Sequence, residues 1–312
     1  MRQGFLIEGI KLGQARGNES WLANLGRVVF VIARITGAGA RGILVALLVA
    51  TPALMLPNVI TDSSQITMLV ALLAYFMTFV EYNSNYPSIV EFRDAPPFNR
   101  LRFVSLFATV VVLTLILQDK TNPSVMSNIF TSIGTIIGNA MDFPFSPVRM
   151  IVLMLPEGAS QALVDSVRTS AGMAYLISLL SMAAFLILVR VMNWPARKGA
   201  FNVWVNLPLF DPTAGGDVIV RLQRDARINI ALGFLLPFFF PAVVKATADL
   251  IDPITLQNPQ TQIWTVAAWA FLPASIIMRG IAMGKIAEMI GEKRRRAYAA
   301  DAETDKPGMQ LA

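Results

Sequence analysis

Six stretches of the chain are apolar for close to the length that crosses a hydrocarbon layer, which is about 20 residues at 1.5 Å of rise each. They fall at 42–60, 66–80, 103–118, 173–189, 228–244 and 262–278. No Asp, Glu, Lys or Arg stands near the middle of any of them; Glu81, Arg190 and Lys245 stand at ends. The pattern predicts an all-α fold: a polytopic integral membrane bundle of about six transmembrane helices with amphipathic surface helices.

Three segments depart from uniform apolarity. In 21–42, Arg27, Arg34 and Arg41 recur every seven residues around an almost wholly apolar run. That spacing keeps them near one helix face. It predicts a helix on the membrane surface with its arginines among anionic lipid head groups, broken from the first span at Gly37, Gly39 and Gly42. The segment 124–141 has helical periodicity, with Met126, Ile129, Ile133, Ile136 and Ile137 on one side. Ser127, Asn128, Thr131, Thr135 and Asn139 lie on the other, so it is expected to lie flat, with a re-entrant hairpin as the alternative. Gly134 and Gly138 add a spacing that permits close helix contact. The stretch 279–299 reads as a further amphipathic helix, and 301–312 as disordered tail.

Charge orients the bundle. Of the 26 Lys and Arg, all but Lys120, Arg149, Arg168 and Lys245 fall on one side if both termini share that side. Lys and Arg collect on the cytoplasmic side of membrane proteins. The expectation is therefore a cytoplasmic segment 1–41, a six-span domain 42–278 and a cytoplasmic tail 279–312. Residues 119–172 would lie outside, the loops 82–102 and 190–227 inside, and the whole in a bacterial-type cytoplasmic (inner) membrane. The formal charge of +6 needs no nucleic acid to explain it.

Composition narrows the chemistry. The chain has no Cys and no His. Thiolate and imidazole sites are excluded within it, and with them the Cys nucleophile and the Ser–His pair. No cofactor or metal is expected, and no catalytic residue. The loop acids Glu81, Glu91, Asp94, Asp211, Asp217 and Asp225 lack the paired Asp spacing of metal-dependent lipid enzymes, and neighbouring arginines stand ready to neutralise them. Pro237 and Pro241 each free a carbonyl one turn earlier, giving a kink or a coordinating site.

The two loops look alike. One carries Asn85-Tyr86-Pro87, the other Asn193-Trp194-Pro195, and each ends in closely spaced arginines before a span. The spacing between these elements differs, so duplication and convergent loop chemistry both remain open. Three residue groups are candidates for binding. Arg93, Asp94, Arg100, Arg102, Asp211, Arg221 and Arg224 form a partner or lipid docking set. Glu81, Tyr82, Asn83, Asn85 and Tyr86 form an interfacial polar–aromatic cluster. Arg27, Arg34 and Arg41 are the head-group set. The expected function is non-enzymatic: an accessory, scaffold or assembly subunit of a membrane complex. Its partners would be the bilayer and other membrane subunits or a second copy. The alternative is a passive channel or facilitator for a small solute or lipid, lined by the polar side of 124–141.

Overall fold

A computed structural model describes the backbone of residues 4–56, 61–195, 202–211, 213, 215–247 and 256–304, with side chains outside 4–25, 61–64 and 302–304. Among the described residues the chain is helical and has no strand. The helices are α1 (Gly4–Met55), α2 (Thr61–Asn83), α3 (Phe98–Gln118), α4 (Val125–Met141), α5 (Pro147–Leu153), α6 (Gln161–Val191), α7 (Val203–Asn206), α8 (Val218–Thr247) and α9 (Pro259–Thr304). Six of them are long and apolar enough to cross a membrane: α1, α2, α3, α6, α8 and α9. The chain is a helical membrane bundle, as the apolar pattern predicts.

Local chemistry sets the helix starts. Ser124 accepts the Ser127 N–H and Ser127 answers back, a capping box that opens α4. Ser146 caps α5 with Pro147 behind it, where a missing N–H costs nothing. Ser160 caps α6, and Asn258 accepts the N–H groups of Gln260 and Thr261 at the start of α9.

Two expectations are corrected. α1 is a single helix through Gly37, Gly39 and Gly42, with no surface helix broken off ahead of the span. At 52 residues it is about 78 Å long, more than twice the hydrocarbon thickness. Gly42 serves contact instead: a Cβ there would lie 2.8 Å from the Tyr75 ring and 3.0 Å from the Tyr75 carbonyl oxygen. The missing side chain lets α1 and α2 approach closely. Likewise α9 continues through Thr304, so helix replaces the first residues of the expected disordered tail; 305–312 lie outside the described residues.

α3, α6 and α9 form the centre, and α8 packs on α9. α8 and α9 run antiparallel in close contact. A Cβ on Gly233 would meet Ile277 at 2.5 Å and the Pro273 carbonyl oxygen at 2.7 Å, and one on Gly280 would meet the Ala226 carbonyl oxygen at 2.8 Å. Beyond the Gly233 crossing the carbonyl of Pro237, left without its helical partner by Pro241, accepts the Trp269 indole N–H at 2.9 Å. The freed carbonyl therefore joins two helices. Deeper along α9, Gln262 donates to Ser166 and Ser170 of α6.

α4 meets α3 near its last turn, at Ile116 and Asp119, and meets α6 at Thr169 and Gly172. It therefore crosses one end of the bundle. The residues turned inward are Ser127, Gly134 and Gly138, while Met126, Ile129, Ile133 and Ile136 are exposed. A Cβ on Gly172 would sit 2.5 Å from the Gly138 Cα, so the small-residue spacing is the contact itself. Asp142 after α4 holds Arg149 and Arg168. Nearby, burial lowers the affinity of Lys120 for its proton, opposed by Asp165.

Candidate functional site

The opposite end of the bundle carries both long interhelical loops, and there the candidate residues collect. Loop 84–97 and the described residues of the loop after α6, 192–195 and 202–211, form one joint structure. Phe92, Phe98, Phe185 and Trp194 are buried together, with ring centroids 4.5 to 6.0 Å apart. Leu207, Phe210 and Leu222 complete the cluster. Aromatic groups at these separations gain edge and offset contacts beyond area burial. The polar edges are satisfied across the loops. The Trp194 indole N–H donates to the Ala95 carbonyl at 3.1 Å. The Phe92 N–H donates to the Asn206 carbonyl at 2.6 Å, and the Asp94 N–H to the Asn206 side-chain oxygen at 3.0 Å.

Phe92 adopts φ 54° and Asn193 φ 51°, left-handed values that a phenylalanine rarely takes. Such a conformation costs about 1–3 kcal/mol and persists where surrounding contacts fix it. Here it delivers the Phe92 ring, with no exposure, into the aromatic box.

The acids of the first loop are engaged internally. The Glu91 carboxylate takes two N–H groups of Arg279, at 2.5 and 2.7 Å, from the middle of α9. Arg279 also donates to Asn229 of α8, and Asn99 donates to the Glu91 carbonyl. This bidentate pair ties loop, α8 and α9 together. The Glu81 carboxylate accepts the backbone N–H groups of Ser88, Ile89 and Val90 and the Ser88 hydroxyl, all within 2.8 Å. The turn thus supplies four donors to a buried carboxylate at the end of α2.

The docking set disperses. Arg93 donates to the carbonyls of Glu81 and Ser84, covering acceptors left over at the C-terminus of α2, and pairs with Asp94. Arg102 lies over the rings of Phe98 and Phe271, and its Nε has no hydrogen-bond partner. Arg221 covers the Phe210 ring at 4.8 Å. Asp211 closes a local turn on Thr213. Arg224 pairs with adjacent Asp225, and Arg100 is exposed. These residues brace the loops from within more than they present one surface.

The other two sets converge. Arg34 donates to the Asn85 side chain at 2.6 Å, and Arg41 lies 4.8 Å from the Tyr82 ring centre. Arg34, Arg41, Tyr82, Ser84, Asn85 and Arg93 line one cleft of about 610 Å³ between α1 and the end of α2. Asn83 and the exposed Tyr86 are at its edge in sequence but not in its wall, and Arg27 is outside it.

Sequence reasoning missed Arg279, Asn206, Asn229 and Trp194 as organisers. Sequence proximity pairs Glu91 with neighbouring arginines, whereas its partner comes from a helix 188 positions away. The likeness of the two loops is one of composition: Tyr86 is 80% exposed and Trp194 is 4% exposed. Among the described residues no group of acidic side chains is arranged to hold a metal ion. Compared with known proteins, the chain matches no family model, no curated protein and no solved structure.

Proposed function

We propose that this chain is a non-catalytic subunit of a membrane complex, an accessory or scaffold protein whose α1–α2 hairpin meets a protein partner. The observation that carries the reading is the placement of α2. It packs on α1 and on no other described helix. Its outward residues, among them Leu69, Leu72, Leu73 and Phe76, are apolar and more than half exposed. Lipid would satisfy that apolarity equally, so the reading rests on placement: a span held on one side alone leaves its other sides to a neighbouring subunit.

The rest of the chemistry supports the same reading. Of the loop acids, the two most buried, Glu81 and Glu91, are engaged by internal donors. α4 is packed onto α3 and α6 through Ser127, Gly134 and Gly138, while Asn128, Thr135 and Asn139 of its polar side are exposed and enclose no channel within the described residues. By the distribution of Lys and Arg, the end carrying the two loops faces the cytoplasm.

The test is purification from native membranes in mild detergent, followed by mass measurement of the intact complex. The expected result is a heteromeric complex of fixed stoichiometry, and no solute flux when the chain alone is placed in liposomes. A lone chain or homo-oligomer that conducts a solute in liposomes would replace this reading with that of a facilitator.

A further inference from the structure

The cleft between α1 and the end of α2 has a composition that structural bracing leaves unexplained. Three guanidinium groups, those of Arg34, Arg41 and Arg93, line it, against one carboxylate, Asp94. The nearby Glu81 carboxylate is held by the donors of residues 88–90 and by no arginine. The cleft is therefore left with net positive charge. The arginines also keep donors. Arg34 donates one N–H, to Asn85, and Arg41 one, to the Gly37 carbonyl, out of five on each guanidinium. Asn85 and Tyr82 orient these two groups, by a hydrogen bond and by a ring face.

From this we infer that the cleft binds a phosphate ester. A planar carboxylate is matched by a single guanidinium fork, whereas a tetrahedral phosphate offers oxygens in several directions and suits arginines arriving from two turns of one helix and from a loop. Phe30 and Ala33 of α1 form the remaining wall, beside exposed Val29 and Val31. An apolar wall next to a phosphate site fits the glycerol and first acyl carbons of a phospholipid, while a soluble phosphate ester would use the arginines alone. The inference does not depend on α2 meeting a protein partner. It also separates Arg34 and Arg41 from Arg27, which the seven-residue spacing had placed with them.

The experiment uses the full chain in an uncharged detergent. Binding of short-chain phosphatidylglycerol, glycerol phosphate, inorganic phosphate and decanoate is measured by calorimetry and by native mass spectrometry. The expected result is one saturable site for phosphatidylglycerol, with decanoate at least tenfold weaker. The double variant Arg34→Gln, Arg41→Gln should lose at least tenfold in affinity, and Arg27→Gln, which removes a charge from the same helix, less than twofold. The pair Arg34→Lys, Arg41→Lys keeps the charge and the fold and should still lose severalfold, because the fork is gone. If glycerol phosphate or inorganic phosphate binds as tightly with the same variant pattern, the ligand is a soluble phosphate compound. No saturable site for any phosphate probe, equal binding of decanoate, equal loss in Arg27→Gln or full affinity in the Lys pair would each overturn the inference.

Discussion

The α1–α2 hairpin and the α3–α6–α9 centre are both built from apolar helices, yet they are used differently. Of the most apolar stretch of α9, 61% is buried inside the protein; for α1 and α2 the share is 11% each. The centre, with α8 packed on it, has glycines at its crossings, a proline-freed carbonyl taken by an indole, and an arginine reaching a loop carboxylate. The hairpin has one such crossing, Gly42 on Tyr75, and polar contacts of α1 with the end of α2, while α1 alone of the two helices packs on α3 and α9. In a bilayer, apolar surface gains nothing by leaving lipid for protein. Association there depends on close packing and on polar groups that find partners. The polar and small residues, not the apolar ones, mark which helices belong together.

The contrast predicts where substitutions hurt. The largest effect is expected at Trp194→Ala, which empties the aromatic box and orphans the Ala95 carbonyl. Reversible unfolding in micelles should show a loss of about 3–5 kcal/mol, while Tyr86→Ala, exposed on the corresponding loop, should stay within about 0.5 kcal/mol. Next comes Arg279→Met, which leaves the Glu91 carboxylate buried without its fork. A loss of about 3 kcal/mol is expected, and adding Glu91→Gln should recover part of it, since the penalty is that of an uncompensated charge.

A glycine pair sharpens the comparison further. Gly233→Ala drives a methyl group into the Pro273 carbonyl and Ile277, and should cost about 1–3 kcal/mol. Gly26 has open space around it. Gly26→Ala should be neutral or stabilise α1 by up to about 1 kcal/mol through helix propensity. Equal losses at both positions in the same unfolding assay would erase the distinction between the regions.

The smallest effect concerns pH. The Ile219 N–H, and after it Arg294, hold the Asp217 carboxyl below the usual carboxylate range. Its ionised form is therefore favoured in the folded protein. Its contribution is present above the unfolded-state pKa and disappears as pH falls through the lower folded value. The gap in unfolding midpoint between the native chain and Asp217→Asn should be visible at neutral pH and close on acidification. A gap that widens in acid would contradict the assigned contact.

The spans were legible because hydrocarbon imposes length and apolarity on each helix separately. The small-residue contact of α4 was partly legible too, since Gly134 and Gly138 carry their own spacing. Partnerships were not. Nothing near Glu91 points to Arg279, and nothing near Pro237 points to Trp269, because these pairs are set by how helices cross. The break expected at Gly37, Gly39 and Gly42 failed for a related reason: in a packed helix, glycine marks an approach as readily as an ending. Of the candidate site, the arginines of α1 and the polar end of α2 were each visible, but their joining into one cleft required the hairpin.

The central claim, that α2 faces a protein and not only lipid, is tested most directly by placing a photocrosslinking residue at Leu69, Leu72 or Phe76, with Leu180 and Ile187 of α6 as exposed controls. Irradiation is done in native membranes. The account predicts one adduct mass shared by the three α2 positions, containing the protein that co-purifies at fixed stoichiometry, and none from the α6 positions. Lipid adducts alone at all five positions would contradict it.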